Sequence, residues 1–212
     1  MAPAFYAGAM SLTSTTGRRA GSTVASWGSA TIPVFALVAV MWVVEAADAV
    51  LPGSFDVWGI QPRSEEGLVG IVLAPILHVG FAHLIANTVA FLVLGCAIAI
   101  TTRRFWRVTI GVALLSGLGV WMFAASGTVT VGASGLVYGY ATFLVAWGIF
   151  TRRLAAIVIA VAVGLVYGSL VFGVLPGQPG ISWQGHLFGS IAGIVMAWWL
   201  SRRRPRRGIS RY

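Results

Sequence analysis

Six stretches of about 20 residues, each almost purely apolar, run through this chain, and most of its charged residues fall between them. That is the length an α-helix needs to cross the hydrocarbon core of a bilayer. The runs cover about 32–51, 81–100, 105–125, 134–150, 154–174 and 183–200. A soluble domain of 212 residues cannot bury a chain that is 58% hydrophobic and 9% charged, with mean hydropathy +0.90. The apolar runs are continuous rather than alternating, which argues against barrel strands. The expected fold is therefore all-α: a polytopic membrane protein built as a bundle of six transmembrane helices.

The organisation expected around that bundle is simple. Residues 1–30, rich in Ser, Thr, Gly and Ala, read as a flexible segment; 31–201 form the membrane domain; 202–212 form a basic tail. Nothing at the start reads as a secretory signal, which would need a basic start, a short apolar core and a cleavage site. The longest connection runs from Pro52 to His78. Its later part, 68–77, is too short to span and is expected at the interface or as a re-entrant turn.

A formal charge of +9 suggests nucleic acid until its placement is read. All 14 basic residues are arginines, they sit at the ends of apolar runs, and no aromatic residues interleave with the Arg202–Arg207 cluster. No nucleic-acid partner is expected; the arginines suit anchoring against anionic lipid of the bilayer. Every arginine except Arg63 falls on one side of the membrane when the number of spans is even. The positive-inside rule then puts both termini in the cytoplasm of a cell-membrane protein.

The polar residues inside the spans carry the chemistry. Ser134 opens the fourth span in Gly132-Ala133-Ser134-Gly135, His186 lies near the start of the sixth, and His83 lies near the start of the second. All three spans begin at the outer side in the six-span topology, so these residues share a depth. Asn87, one turn below His83 on the same face, is the chain's only asparagine. Gly135 with Gly139, and Gly189 with Gly193, are small-xxx-small pairs that let helix backbones approach closely in lipid. Packing those faces together brings the Ser134 hydroxyl toward the His186 imidazole. Neutral histidine is the usual base for a serine nucleophile near pH 7. Backbone N–H groups at the start of a helix are aimed to stabilise an oxyanion, and His83 and Asn87 add side-chain donors. The short fourth span suggests that its helix starts below the outer surface, leaving Ser134 in a recessed, wet cavity.

Other readings of these residues carry less. No His-Glu-x-x-His occurs and no carboxylate lies in the second to sixth spans, so no metal and no cofactor is expected. Cys96, alone in an apolar run, is expected to be a packing residue. Glu45 and Asp48, near the outer end of the first span, either orient His186 as a third member or pair with loop donors. Residues 175–180, Leu-Pro-Gly-Gln-Pro-Gly, are either a plain turn or a mobile cap over the cavity.

Together, His83-x-x-x-Asn87 with His78 five residues before it, Gly132-Ala133-Ser134-Gly135, and His186 followed by Gly189 and Gly193 resemble the rhomboid family of intramembrane serine proteases. The resemblance runs from His78 to Gly193 in the family's order. It implies a six-helix core with a Ser134–His186 catalytic dyad, and an oxyanion and substrate-binding site that includes His83, Asn87, Gly132 and the Ser134 amide. Tyr138 matches the tyrosine that stacks against the family's catalytic histidine. Implied substrates are single-pass membrane proteins with small residues and locally unstable helices near the outer surface. One departure concerns the long outer loop, where many rhomboids carry a Trp-Arg pair. The stretch Ser64-Glu65-Glu66-Gly67 has none, so the packing of that loop is left open. A catalytically silent relative that binds or escorts membrane helices is the alternative from another class. The oligomeric state is not legible.

Overall fold

The structure, a computed structural model, describes residues 16–178 and 180–202. Residues 1–15 and the basic tail from 203 onward lie outside the described residues. Seven α-helices follow in order: α1 (Thr16–Val50), α2 (Gly67–Leu73), α3 (Gly80–Thr102), α4 (Phe105–Phe123), α5 (Ser134–Thr151), α6 (Leu154–Tyr167) and α7 (Trp183–Arg202). Short 3-10 segments follow α1, α2 and α6, at Phe55–Trp58, Ala74–Ile76 and Gly168–Val174. Among the described residues the chain is all-helical apart from one isolated antiparallel bridge, Ile60 to Thr130.

Among the described residues, five helical segments are long and apolar enough to cross a membrane: Trp27–Val50, Gly80–Thr102, Phe105–Phe123, Ser134–Thr151 and Leu154–Val174. α7 has the length, at 20 residues, but Gln184 and His186 dilute its apolar character. The expected six spans are thus matched by five on length and composition. α1 starts earlier than expected: the Ser/Thr/Gly-rich stretch before 32, read as flexible, has helical backbone from Thr16. Once a long apolar helix is nucleated, each added residue gains a hydrogen bond without paying nucleation again. α2 with its 3-10 extension is the short apolar element between the first two spans, as the length of 68–77 implied.

α5 is the hub of the bundle. It is 61% buried along its most apolar window, whereas the Leu154–Val174 segment is only 11% buried. Tyr140 of α5 is fully buried, shares a 2.7 Å hydrogen bond with Thr109 of α4, and packs against Phe91 of α3 at 5.3 Å between ring centroids. That bond satisfies a phenol that would otherwise be orphaned in an apolar core. Thr142 of α5 donates to the Ser190 carbonyl of α7 at 2.9 Å. The exposed apolar side chains, such as Leu165 and Val166 on α6, face outward as they must where the solvent is hydrocarbon.

Arginines close one end of the bundle. Arg103 and Arg152 terminate α3 and α5 in the left-handed conformation, at φ 56° and 51°, and their N–H groups bond the carbonyls of Ala99 and Gly148. Glycine is the usual occupant, since a Cβ costs about 1–2 kcal/mol there. Arginine offsets part of that cost by placing its charge against the negative end of the helix dipole. Arg104 donates to the Leu200 carbonyl at 2.7 Å, which puts the start of α4 beside the end of α7. Ser134 and His186 open α5 and α7, so they lie at the other end.

The long loop is held by a tryptophan and an arginine from different elements. Arg63 donates from its backbone to Trp121 O at 3.0 Å and from its guanidinium to Met122 O and Ser126 Oγ. The Trp121 indole returns a bond to Ser64 O at 2.8 Å. This reciprocal clamp on the end of α4 gives the loop its packing without an adjacent Trp-Arg pair. Arg63→Ala should therefore free the loop over residues 52–66. Limited proteolysis in detergent checks this, with cleavage in that loop expected at least several-fold faster than in the parent.

Candidate active site

Gly132 shapes the approach to Ser134. Its φ of 111° is open only to glycine, and a Cβ there would lie 2.6 Å from His83 Cε1 and 2.9 Å from Nε2. The His83 ring thus lies close against the backbone two residues before the serine. The same loop is pinned from below: Gly132 N–H donates to Ala74 O at 2.8 Å, and Ala133 N–H points at His78 Nε2 at 3.4 Å. Ser134 then begins α5, half-buried, with its N–H among the unpaired donors of the first turn.

His78, which sequence reasoning used only as part of a motif, is a structural member of this site. It is 2% exposed, and its ring meets His83 edge-on at 5.1 Å. Burial, reinforced by the neighbouring His83, pushes its pKa down to about 4. It is therefore neutral near pH 7, with Nε2 accepting and the proton on Nδ1, which makes no well-formed hydrogen bond and has the Ile76 backbone as its nearest acceptor. The unfolded chain takes up this proton near pH 6.5. Between pH 6.5 and 4 the unfolded state binds more protons, so stability is present above 6.5 and is lost as pH falls toward 4. The loss amounts to at most about 3 kcal/mol. Thermal denaturation at pH 7 and pH 4.5 checks it: the parent should lose more on acidification than His78→Gln.

Asn87 is buried and donates one amide hydrogen to His83 O at 3.1 Å, one turn earlier. Its second amide hydrogen remains for another acceptor.

α5 and α7 run side by side in register. A Cβ on Gly189 would overlap the Gly135 carbonyl, and one on Gly193 would overlap that of Gly139. A Cβ on Gly135 would lie 3.4 Å from Gly185 O, so Gly135 sits between Gly185 and Gly189, the two residues that bracket His186. Ser134 and His186 consequently occupy the same level of two touching helices. His186 is buried and stacks on Tyr138, one turn below Ser134, with ring centroids 3.9 Å apart and planes at 8°. This is the contact that the resemblance implied for Tyr138. No hydrogen bond joins Ser134 Oγ to His186 among the described residues; in substrate-free enzymes such bonds are often long and tighten on binding.

The Nδ1 of His186 lies 2.8 Å from the carbonyl oxygen of Gly173. No carboxylate takes that place. Asp48 accepts from the Phe55 backbone N–H, and buried Glu45 faces the Gly80 N–H at the start of α3, so both pair with nearby backbone donors. The third-member role considered for them does not occur. Gly173 carried no signal in the sequence, being one glycine among 27.

A small cavity of about 30 Å³ opens beside the serine, walled by Ser134, Gly135, Gly132, Ser116, Thr130 and Gly185 together with apolar groups. That is room for a water molecule. Among the described residues no cluster of His, Cys, Asp and Glu has the arrangement of a metal site. Pro179, inside the 175–180 linker, lies outside the described residues.

Comparison with known proteins gives the family. The rhomboid domain family matches residues 65–203, which takes in every residue of the site. Uncharacterized protein Rv1337 of Mycobacterium tuberculosis and uncharacterized protein Mb1372 of Mycobacterium bovis are each 38% identical to the chain over 220 residues, covering 96% of it and 91% of the relative. Uncharacterized protein ML1171 of Mycobacterium leprae is 38% identical over 184 residues, covering 82% of the chain and 73% of its own length. Several membrane-length apolar helices and a rhomboid domain make this a multi-pass membrane protein. With the family match extending from the loop before α2 to the end of α7, the chain belongs to the rhomboid family.

Proposed function

We propose that the chain is an intramembrane serine endopeptidase that hydrolyses peptide bonds in or near the transmembrane segments of single-pass membrane proteins. The observation that carries the reading is the set of the His186 ring, stacked on Tyr138 with its Nδ1 against a carbonyl oxygen. A carbonyl only accepts, so the neutral ring holds its proton on Nδ1 and leaves Nε2 as the free base. In this mechanism Ser134 Oγ attacks the substrate carbonyl as its proton passes to Nε2. The imidazolium then gives that proton to the leaving amine, and water repeats the sequence to release the acyl product. The Ser134 N–H, the His83 ring and the free amide hydrogen of Asn87 hold the oxyanion. This chemistry needs no cofactor.

His83→Ala and Asn87→Ala should each lower kcat by about 10²–10³-fold, measured on a transmembrane peptide in proteoliposomes. The cavity beside Ser134 suits water or a small side chain, in keeping with substrates that carry small residues at the cut. In this reading α7 is the sixth crossing of a single membrane domain over 31–201. The arginine end, both termini and the basic tail from 202 face the cytoplasm, and the site opens near the outer face.

A silent relative that binds or escorts membrane helices is the second reading, favoured by the lack of a direct Ser134–His186 hydrogen bond. Labelling by a serine-directed fluorophosphonate in detergent separates the two. The parent should label, and both Ser134→Ala and His186→Ala should not. An unlabelled, folded parent would overturn the protease reading.

A further inference from the structure

We propose that the backbone carbonyl of Gly173 is the positioning group for the His186 base, in the place a carboxylate occupies in a serine–histidine–aspartate triad. The proposal rests on the protease reading for its catalytic consequence and on geometry for its structural content. A serine–histidine pair needs something to hold the ring in the right tautomer, because a ring protonated on Nε2 cannot accept from the serine. All five side-chain carboxylates of the chain lie before residue 67, and Glu45 and Asp48 face backbone N–H groups elsewhere. Gly173 O, at 2.8 Å from Nδ1, is the acceptor present.

The 3-10 segment Gly168–Val174 reaches the ring only because residue 173 lacks a side chain. A Cβ there would overlap Tyr138 Oη, and would lie 2.9 Å from Tyr138 Cζ and 3.2 Å from His186 Nδ1. The glycine therefore presses its backbone onto the edge of the His186–Tyr138 stack. Its neighbours are little packed: Val171 and Phe172 are 60% and 64% exposed. The turn is held by Leu175 N–H and Gln178 Nε2, both donating to Phe172 O at 3.2 Å and 3.0 Å. The base is thus oriented by the most weakly buried part of the bundle. When Nε2 takes the Ser134 proton, the Nδ1–H···O=C bond stays in place and faces the positive charge with a carbonyl dipole. When the proton passes to the leaving amine, the ring returns to the same tautomer.

The experiment uses full-length protein labelled with ¹⁵N-histidine in detergent. Three histidines are present, and His186→Ala assigns the signal of interest. In the parent, His186 should show a protonated Nδ1 and an unprotonated Nε2; a parent ring protonated on Nε2 overturns the proposal without any variant. Gly173→Ala should convert His186 to a mixture of tautomers and lower kcat by about 10²-fold with little change in KM, as expected for a misplaced base. Adding Tyr138→Phe removes the hydroxyl that the new methyl strikes. The double variant should then recover at least tenfold in kcat over Gly173→Ala, judged against Tyr138→Phe alone. A folded Gly173→Ala that keeps the parent tautomer and parent kcat also overturns the proposal. If the parent shows the Nδ1–H tautomer yet takes no fluorophosphonate, the orienting contact stands and the protease reading falls.

Discussion

His186→Ala is expected to lower cleavage of a transmembrane substrate by about 10⁴-fold or more while the protein stays folded. Without the imidazole, Ser134 loses the base to which its proton passes, and His83, the other ring near the serine, serves the oxyanion in this reading. Ser134→Ala should fall to the same residual rate, and the double variant should fall no further, because a nucleophile and its base act as one unit. Folding should survive because the backbones of α7 and α5 are brought together by Gly185, Gly189 and Gly193, and the histidine ring adds to them only its stack on Tyr138. The check is kcat/KM in proteoliposomes beside a thermal unfolding curve. Retention of activity within tenfold of the parent in a folded His186→Ala would sink the assignment of the base.

The second large effect is on stability. Gly193→Ala places a methyl on the carbonyl oxygen of Gly139 and the hydroxyl of Thr142, so α5 and α7 must part. Overpacking of this kind costs roughly 1–3 kcal/mol, and in lipid there is no compensating hydrophobic drive to keep the helices together. Gly164→Ala in α6 is the control, since a Cβ there meets nothing within 4 Å. That change should be neutral or slightly stabilising, because alanine is the better helix former. Thermal unfolding in the same detergent should show a clear drop for the first variant and none for the second. Fluorophosphonate labelling should fall with Gly193→Ala, since parting the helices separates residue 134 from 186.

Much of the bundle was legible because hydrocarbon imposes a length and a composition that leave a plain trace. The starts of α5, α6 and α7 at Ser134, Leu154 and Trp183 coincide with those expected from the apolar runs. α1 was legible only in its apolar half, since its first residues are polar enough to read as irregular. α7 was read as an apolar run at 183–200, but Gln184 and His186 depress its hydropathy and it is not among the five segments apolar enough to cross a membrane. Ser134, His186, His83 and Asn87 stood out as polar groups in apolar surroundings, where each is expensive and calls for an explanation. Their common level followed from helix direction alone.

The loop and the second layer of the site were not legible. The missing Trp-Arg pair left the loop open, and the clamp that holds it joins Arg63 to Trp121, 58 positions apart in the chain. Gly173 was invisible for a similar reason: a carbonyl is present at every residue, so no residue type marks the one that meets a histidine.

From its residues alone this protein was committed to lipid, to a helical bundle, and to arginines at one end with Ser134 and His186 at the other. Hydropathy, charge and helical period are properties of short segments, so they survive without knowledge of contacts. Which nitrogen of His186 is protonated, what buries His78 and what clamps the long loop depend on close approach between distant parts of the chain. Those approaches are set by where glycines let backbones touch, and that is a tertiary matter.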